Sequence, residues 1–164
     1  MPAVYRTTIL AEAATYPHHA DIRASWPPEW VEFLGAGPPR TFRTPSYRVL
    51  AESTLTSEFA GQLALVTLAE KIIGIADWFT VPTHHHCGVA VGLAAATIAW
   101  ADRRAVTLLV DTGDPGLRRV CARHGFTPVT SRDAVELTTS AGPVLLANLM
   151  ARGPVAGLTL TTKF

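Results

Sequence analysis

The stretch from Thr80 to Gly92 reads TVPTHHHCGVAVG, in which an apolar run ends at a proline and a histidine-rich turn leads into small residues. The residues that follow stay apolar almost all round until Asp102, Arg103 and Arg104 supply charge. This pattern is typical of a helix that packs under a sheet and ends at the surface. The stretch therefore predicts the end of a strand, a tight turn and the start of a buried helix, and this crossover decides the fold.

Upstream of the crossover, three runs rich in apolar and β-branched residues occupy positions 47–53, 59–70 and 71–81. A polar turn at 54–58 separates the first two runs, and the tight Glu70-Lys71 junction separates the second from the third. Short polar junctions of this kind are typical of strands that are neighbours in a sheet. We therefore expect three consecutive antiparallel strands.

Downstream of the crossover, residues 106–111 form a continuous apolar run, VTLLVD, of the length expected for a strand covered on both faces. The run DPGLRRVCARHGF at 114–126 begins with Asp114, a good N-cap, followed by Pro115, and it stops at Gly125. These features predict a buried strand and then a short helix.

The two ends of the chain have weaker patterns. Residues 3–10 predict a first strand, 17–39 predict one or two short helices, and 127–137 and 143–150 predict a closing hairpin. All segments together predict a single domain over residues 1–164 of the α+β class, in which helices are layered on one central sheet.

Composition limits the classes of protein to which the chain can belong. Apolar residues make up 48% of the 164 residues, charged residues make up 16%, and the formal net charge is +1. This charge gives no reason to expect a polyanionic partner, and no apolar run approaches the roughly 20 residues of a membrane span. The high apolar fraction favours a face covered by a ligand or by a second copy of the chain, so we expect a homodimer.

The compartment and source follow from the same sequence. The chain opens without a signal-peptide pattern, so we expect a cytoplasmic protein. Its two cysteines, Cys87 and Cys121, are expected to be free thiols, because a widely spaced pair in a non-secreted chain seldom forms a structural bridge. The abundance of arginine, alanine and proline indicates a bacterial source.

The three histidines and the cysteine at 84–87 suggest a metal site at first sight. Zinc needs four ligands in a tetrahedron, whereas side chains adjacent in sequence point in divergent directions. Two of the four could join His18, His19 or Asp77, but nothing in the spacing requires it. We therefore expect no metal, and a solvated polar turn is the simpler interpretation.

An anion site is another interpretation of the same loop. A turn between a strand and a helix leaves several backbone N–H groups aimed at one point, where the helix dipole favours negative charge. Small residues at Gly88 and Ala90 would let a pyrophosphate reach those amides.

Two alternatives to the anion site stay open. Gly88 and Gly92 can instead permit close packing of the helix on the sheet. Asp111 lies about as far along as the acidic residue of a dinucleotide-binding fingerprint, although the antiparallel strands disfavour that fold.

The succession of motifs resembles the GCN5-related N-acetyltransferase superfamily, and the resemblance covers residues 47–138. It implies a mixed, mostly antiparallel central sheet flanked by helices. The matching pieces are the strand end Val81-Pro82, the loop His85-His86-Cys87-Gly88-Val89-Ala90, the strand at 106–111 and the closing run Cys121-Ala122-Arg123-His124-Gly125-Phe126.

The resemblance implies an acyl donor, acetyl-coenzyme A (acetyl-CoA) or another acyl-CoA, as co-substrate. Its pantetheine arm would pair like an extra strand with the backbone at Thr80 and Val81. Asp114 stands where the family often has an asparagine that touches this arm, and its use as an N-cap is the alternative. The pyrophosphate would lie on the turn formed by His85, His86, Cys87, Gly88, Val89 and Ala90.

Enzymes of this family let an amine attack the thioester directly, while a carboxylate or a water chain takes its proton and a tyrosine on the closing helix protonates the departing thiolate. Asp77 is the carboxylate nearest to the expected cleft and is the candidate base, although on a regular strand it faces the core unless a bulge intervenes. Cys121 occupies the position of the tyrosine and is the candidate proton donor, with a small core residue as the alternative.

Two positions depart from the family's loop pattern. His85 stands where arginine or glutamine is usual, and His86 replaces a glycine. Because most hydrogen bonds to a pyrophosphate come from the backbone, we expect binding to persist but to be weaker and dependent on pH, with protonated imidazoles supplying part of the charge.

The resemblance therefore implies an N-acyltransferase that transfers an acyl group to the amine of a small metabolite or an amino-acid-like acceptor. The alternatives are an acyltransferase of the same fold that uses an acyl carrier protein or an aminoacyl-tRNA as donor, and a non-catalytic protein that kept the fold. The near-neutral charge argues against tRNA, since contacts to several phosphates need clustered basic residues.

Overall fold

The computed structural model describes residues 4–11, 46–129, 138–139, 142–143 and 148–155. The predicted helices at 17–39, with His18 and His19, lie outside these ranges, as do most of the predicted strand at 127–137 and the C-terminal tail. In the described ranges, no helix combines the length and the apolar character needed to cross a membrane.

The described elements follow the predicted order of a strand meander, a helix, a strand and a short helix. A 3₁₀ helix at Pro82–His84 stands between the fourth strand and the first α-helix. The two α-helices are α1 (Val89–Arg104) and α2 (Pro115–Arg123). The strands are β1 (Tyr5–Ala11), β2 (Tyr47–Ser53), β3 (Phe59–Ala69), β4 (Ile72–Thr80), β5 (Thr107–Asp111), β6 (Thr127–Pro128), β7 (Thr138–Thr139), β8 (Gly142–Pro143) and β9 (Leu149–Arg152).

Seven of the described strands form one sheet in the order β1-β2-β3-β4-β5-β9-β6. β1 to β4 are an antiparallel meander, β5 is parallel to β4, and β9 is antiparallel to both β5 and β6. β7 and β8 pair separately. The predicted α+β class with a mixed, mostly antiparallel sheet is confirmed.

Both layers of the core cover β5. Leu108 and Val110 contribute to the cluster under α1, and Leu109 contributes to a second cluster on the opposite face, as expected for side chains that alternate along a strand. Thr107 to Val110 are all buried. The prediction of a strand buried on both faces is confirmed.

α1 returns the chain from the end of β4 to the start of β5. It buries one stripe that includes Val89, Leu93 and Trp100, whereas Ala95 and Ala99 are exposed. The sequence predicted a helix buried almost all round, and the structure buries only one face. The reason is that alanine favours helix formation at exposed positions, so an alanine-rich outer face has an apolar sequence without being covered.

Candidate functional site

The parallel ladder between β4 and β5 is short, and the region beyond its last pair, where β4 has no β5 partner, is called the opening below. The ladder pairs Ile72 to Ile75 with Thr107 to Val110 and extends no further. β4 continues to Thr80, while Asp111 at the end of β5 pairs with Leu149 of β9. The end of β4 therefore has β3 on one side and an edge without a β5 partner on the other.

A β-bulge lies in β4 beside this opening. Gln62 pairs with Phe79 and Ala64 pairs with Ala76, so Asp77 and Trp78 together oppose the single residue between those two in β3. A bulge reorients the side chains that follow it and increases the local twist. From the sequence, Asp77 was expected to face the core unless a bulge intervened, and this bulge is present. The side chain of Asp77 itself lies outside the described part of the chain.

The backbone of Thr80 faces the opening. The Val81 N–H donates to the Ala60 carbonyl of β3 at 2.8 Å, so the N–H and C=O of the preceding residue point away from β3. The Thr80 carbonyl accepts a hydrogen bond from His85 Nε2 at 2.9 Å. The N–H of Thr80 thus faces away from β3, and its pairing with a donor arm stays a prediction.

Val81, unlike Thr80, does not direct its backbone N–H and C=O groups into the opening. Its N–H is bonded to Ala60, and its carbonyl accepts the His84 N–H at 2.8 Å. Both backbone groups are therefore used within the protein, because Val81 ends the pairing with β3 and starts the 3₁₀ turn. Of the two residues predicted to pair with a donor arm, only Thr80 directs its backbone into the opening.

The turn after β4 ends at a helix N-terminus without a side-chain cap. Gly88 is the N-cap of α1 and has φ +85°, a conformation that favours glycine. The first-turn amides of Val89, Ala90 and Val91 have no partner within the helix, as at every helix start. These N–H groups and the helix dipole lie at the same end of β4 as the opening, where the sequence predicted an anion site, and anion binding there stays a prediction.

The alternative explanation for the glycines, close packing on the sheet, does not hold at Gly88 or Gly92. A Cβ atom added at either position meets no atom within 4 Å. Near this turn, Gly61 is at a close approach, because a Cβ there would lie 2.7 Å from the Phe79 carbonyl oxygen and 2.9 Å from Val89 Cγ1. The sequence did contain the signal, since a glycine inside an apolar strand marks a close approach.

The three histidines point in different directions, and two of them bond to neighbouring strands. His84 Nδ1 lies 3.1 Å from the Tyr5 hydroxyl of β1, and His85 bonds to Thr80. His86 is exposed, has φ +61° and contacts the edge of the His85 ring. Of the two imidazoles expected to replace the arginine, His85 is committed to the backbone and only His86 is left at the surface.

The divergence of these rings also bears on the metal interpretation. Among the residues that the structure describes, no group of three or more histidine, cysteine, aspartate or glutamate side chains is arranged to hold a metal ion. Cys87 is exposed, and its thiol donates to the His85 carbonyl at 3.4 Å. The loop therefore uses its polar side chains on itself and on the adjacent strands.

The two remaining predicted site residues lie on α2. Asp114 Oδ1 accepts the Leu117 N–H at 2.6 Å, which confirms the N-cap interpretation. Cys121 is completely buried in the core cluster, and burial raises the pKa of its thiol to about 11. A proton leaving this thiol would strand a charge in an apolar environment, so the position favours the core interpretation over the proton-donor interpretation.

Comparisons with solved structures agree on one architecture. An acetyltransferase of the GNAT family from Staphylococcus aureus Mu50 superposes with a TM-score of 0.61 at 12% identity, covering 90% of this chain and 98% of that one. An acyl-CoA N-acyltransferase from Pseudomonas aeruginosa gives 0.61 at 14%, covering 91% and 99%. The Escherichia coli GNAT family N-acetyltransferase YhbS, in complex with CoA, gives 0.60 at 17%, covering 100% and 92%.

Sequence comparison adds no relative. No protein-family model matches the chain, and no curated protein matches it. At such low identities the structural likeness establishes the fold, and the chemistry has to be argued from the residues of the site.

Proposed function

We propose that this chain, which has the fold of the GCN5-related N-acetyltransferases, is an N-acyltransferase that uses acetyl-CoA or another acyl-CoA. The acceptor is the amine of a small metabolite or an amino-acid-like molecule. One observation carries the proposal: the free edge of β4 at Thr80 and the uncapped N-terminus of α1 lie at the two ends of one short turn. An acyl-CoA has the matching pair of groups, an extended amide-containing arm followed by a pyrophosphate.

Each half of the donor has a physical partner in this arrangement. The Thr80 N–H faces the opening and would hydrogen-bond to the arm as a neighbouring strand does. The amides at the start of α1 would bind the pyrophosphate with the help of the helix dipole. Open space beside Gly88 and Gly92 leaves the phosphates room to reach the backbone.

The reaction that this placement supports is direct acyl transfer. The acceptor nitrogen forms a bond to the thioester carbonyl carbon, the C–S bond breaks, and the electron pair leaves with the coenzyme sulfur. The ammonium proton passes to a base, for which we propose Asp77 at the β4 bulge, and the thiolate takes a proton from water. Holding both reactants in one opening lowers the entropic part of the barrier.

Donor binding is the first test, because it needs no knowledge of the acceptor. Titration calorimetry with acetyl-CoA between pH 6 and 8 is expected to show binding. Bound donor is also expected to slow alkylation of Cys87 by iodoacetamide, since Cys87 is exposed in the turn that would hold the pyrophosphate. Buried Cys121 is the slow-reacting internal control. Absence of both heat and protection at millimolar donor would overturn the proposal.

Replacement of the proposed base tests the chemical step. Asp77→Asn is expected to lower kcat about 100-fold, the usual range for a lost general base, and to leave the donor dissociation constant unchanged. Turnover is measured as thiol release with the best acceptor from a panel of amines. The control is Glu58→Gln, the same acid-to-amide change in an exposed turn. An Asp77→Asn enzyme with unchanged kcat would remove Asp77 from the mechanism.

A carrier-linked donor is the second candidate, and one observation favours it. His84 and His85 are bonded to Tyr5 and Thr80, so the described loop offers the nucleotide half of CoA its backbone and His86 rather than an arginine. A donor bound to an acyl carrier protein has the pantetheine arm without that nucleotide. Equal affinity for acetyl-pantetheine and acetyl-CoA would support this donor, and a strong preference for acetyl-CoA would exclude it. The homodimer and the cytoplasmic location stay predictions.

A further inference from the structure

The donor loop, residues 82–90, is fastened on one side by a residue of the first strand. Tyr5 precedes His84 by 79 positions, and its hydroxyl lies 3.1 Å from His84 Nδ1. The two rings also meet edge to face, with centroids 5.7 Å apart and planes at 84°. An oxygen–nitrogen bond and a ring contact together fix both the position and the tilt of the imidazole.

The environment of the Tyr5 hydroxyl also includes the Cys87 thiol. Burial first, and then hydrogen bonding with Cys87, raises the pKa of the Tyr5 hydroxyl. The Cys87 thiol in turn donates to the His85 carbonyl at 3.4 Å. The bond between Tyr5 and His84 thus ties β1 to the beginning of the turn, and the Cys87 thiol ties the end of the turn to His85.

A second fastening holds the loop to β4. His85 Nε2 donates to the Thr80 carbonyl at 2.9 Å, and this bond closes a ring of backbone between the strand end and the turn. The imidazole lies on the side of β4 that faces the opening, because Thr80 directs its carbonyl there. The loop is therefore held from β1 and from β4 at consecutive residues.

These bonds stabilise the loop against an unfavourable backbone conformation within it. His86 has φ +61° and Gly88 has φ +85°, both in the left-handed region. A non-glycine residue in this conformation is strained and persists only where its surroundings impose it. No side chain in the described chain caps the first turn of α1, so contacts outside the helix must hold the turn in place.

We propose that Tyr5, His84 and His85 are positioning residues that hold the donor loop in its binding conformation before the donor arrives. The proposal rests on the proposed acyl-donor function, and it gives β1 a part in donor recognition without any contact to the donor. Because a loop that visits other conformations binds in proportion to its competent fraction, loss of one bond weakens apparent affinity and leaves the chemical step alone.

Tyr5→Phe is the direct test, since it removes the hydroxyl and keeps the ring. The dissociation constant for acetyl-CoA is expected to rise about fivefold, the factor for one lost part-buried hydrogen bond, while kcat at saturating donor stays unchanged. Amide hydrogen exchange across residues 82–92, measured without donor, is expected to speed up by a similar factor. Tyr47→Phe is the matched control, because the Tyr47 ring packs on Trp100 away from the loop.

Two pairs of substitutions, one pair at His84 and one at His85, supply the rescue test. Asparagine can place its amide nitrogen near the position of an imidazole Nδ1, and glutamine near that of Nε2. His84→Asn and His85→Gln are therefore expected to stay within about twofold of the parent dissociation constant, whereas His84→Ala and His85→Ala match the loss in Tyr5→Phe. The double variant Tyr5→Phe with His84→Ala is expected to be no worse than His84→Ala alone, since both changes remove the same hydrogen bond.

The outcomes separate the two proposals. Unchanged loop exchange and unchanged affinity in Tyr5→Phe and in both alanine variants would overturn the positioning role while leaving donor binding intact. If the parent protein binds no donor, the acyl-donor proposal fails, and the exchange measurement alone still decides whether these residues hold the loop. A fall in kcat at saturating donor would also count against a positioning role.

Discussion

Ala90→Glu is expected to weaken acetyl-CoA binding about 100-fold without destabilising the protein. Ala90 is the second residue of α1, in the turn whose amides would bind the donor's pyrophosphate. A carboxylate there would repel the phosphates, and like charges brought together at a binding site cost several kcal/mol. The same carboxylate interacts favourably with the helix dipole, by about 0.3–1 kcal/mol, so the fold itself is expected to gain slightly. Calorimetry and urea unfolding measure the two effects.

Ala99→Glu is the matched control for this prediction. Ala99 is an exposed residue of the same helix, two turns further on, where the added carboxylate can approach Arg103 one turn away. Its donor affinity is expected to equal that of the parent protein. If both variants bind donor equally well, the start of α1 is not where the pyrophosphate lies.

Gly61→Ala is expected to destabilise the protein by about 2–3 kcal/mol, the upper part of the range for an overpacked core. The new Cβ would lie 2.7 Å from the Phe79 carbonyl oxygen and 3.2 Å from the Thr80 Cα, and both are backbone atoms that cannot rotate away. Relief requires the end of β4 to move away from β3, which also moves the edge that faces the opening. Urea unfolding measures the loss of stability.

Gly92→Ala is the opposite case in the same part of the molecule. A Cβ at Gly92 meets nothing within 4 Å, and the residue lies inside α1. The helix is therefore expected to gain about 0.5–1 kcal/mol from the lower backbone entropy of the unfolded state and the higher helix propensity of alanine. Equal unfolding midpoints for the two variants would show that the close approach at Gly61 is not tight.

The sequence was sufficient for those features that depend on local pattern. Alternating and continuous apolar runs predicted β2 to β5, and the Asp114-Pro115 start with the stop at Gly125 predicted α2, because strand periodicity and helix capping are properties of neighbouring residues. The turn between β4 and α1 was predicted for the same reason, while its role as an anion site stays a prediction.

The features that the sequence did not predict are contacts between distant segments. Nothing in the spacing of Tyr5 and His84 indicates that they bond, and the loop histidines could not be assigned directions before β1 and β4 were in place. Gly61 was missed because its neighbours, Phe79 and Val89, come from two other elements. The exposed side of α1 was missed because alanine is common both in cores and on exposed helix faces, so its presence does not tell the two apart.

The short ladder between β4 and β5 joins the N-terminal meander to the C-terminal part of the sheet. β4 closes the antiparallel meander, β5 opens the C-terminal part, and four residue pairs join them before the strands separate. A ligand seated in the gap would touch both halves and would act as a removable cross-link, whose contribution to cohesion grows with the logarithm of its free concentration. If the proposed acyl donor binds in this gap, resistance to proteolysis is expected to rise with the concentration of free donor.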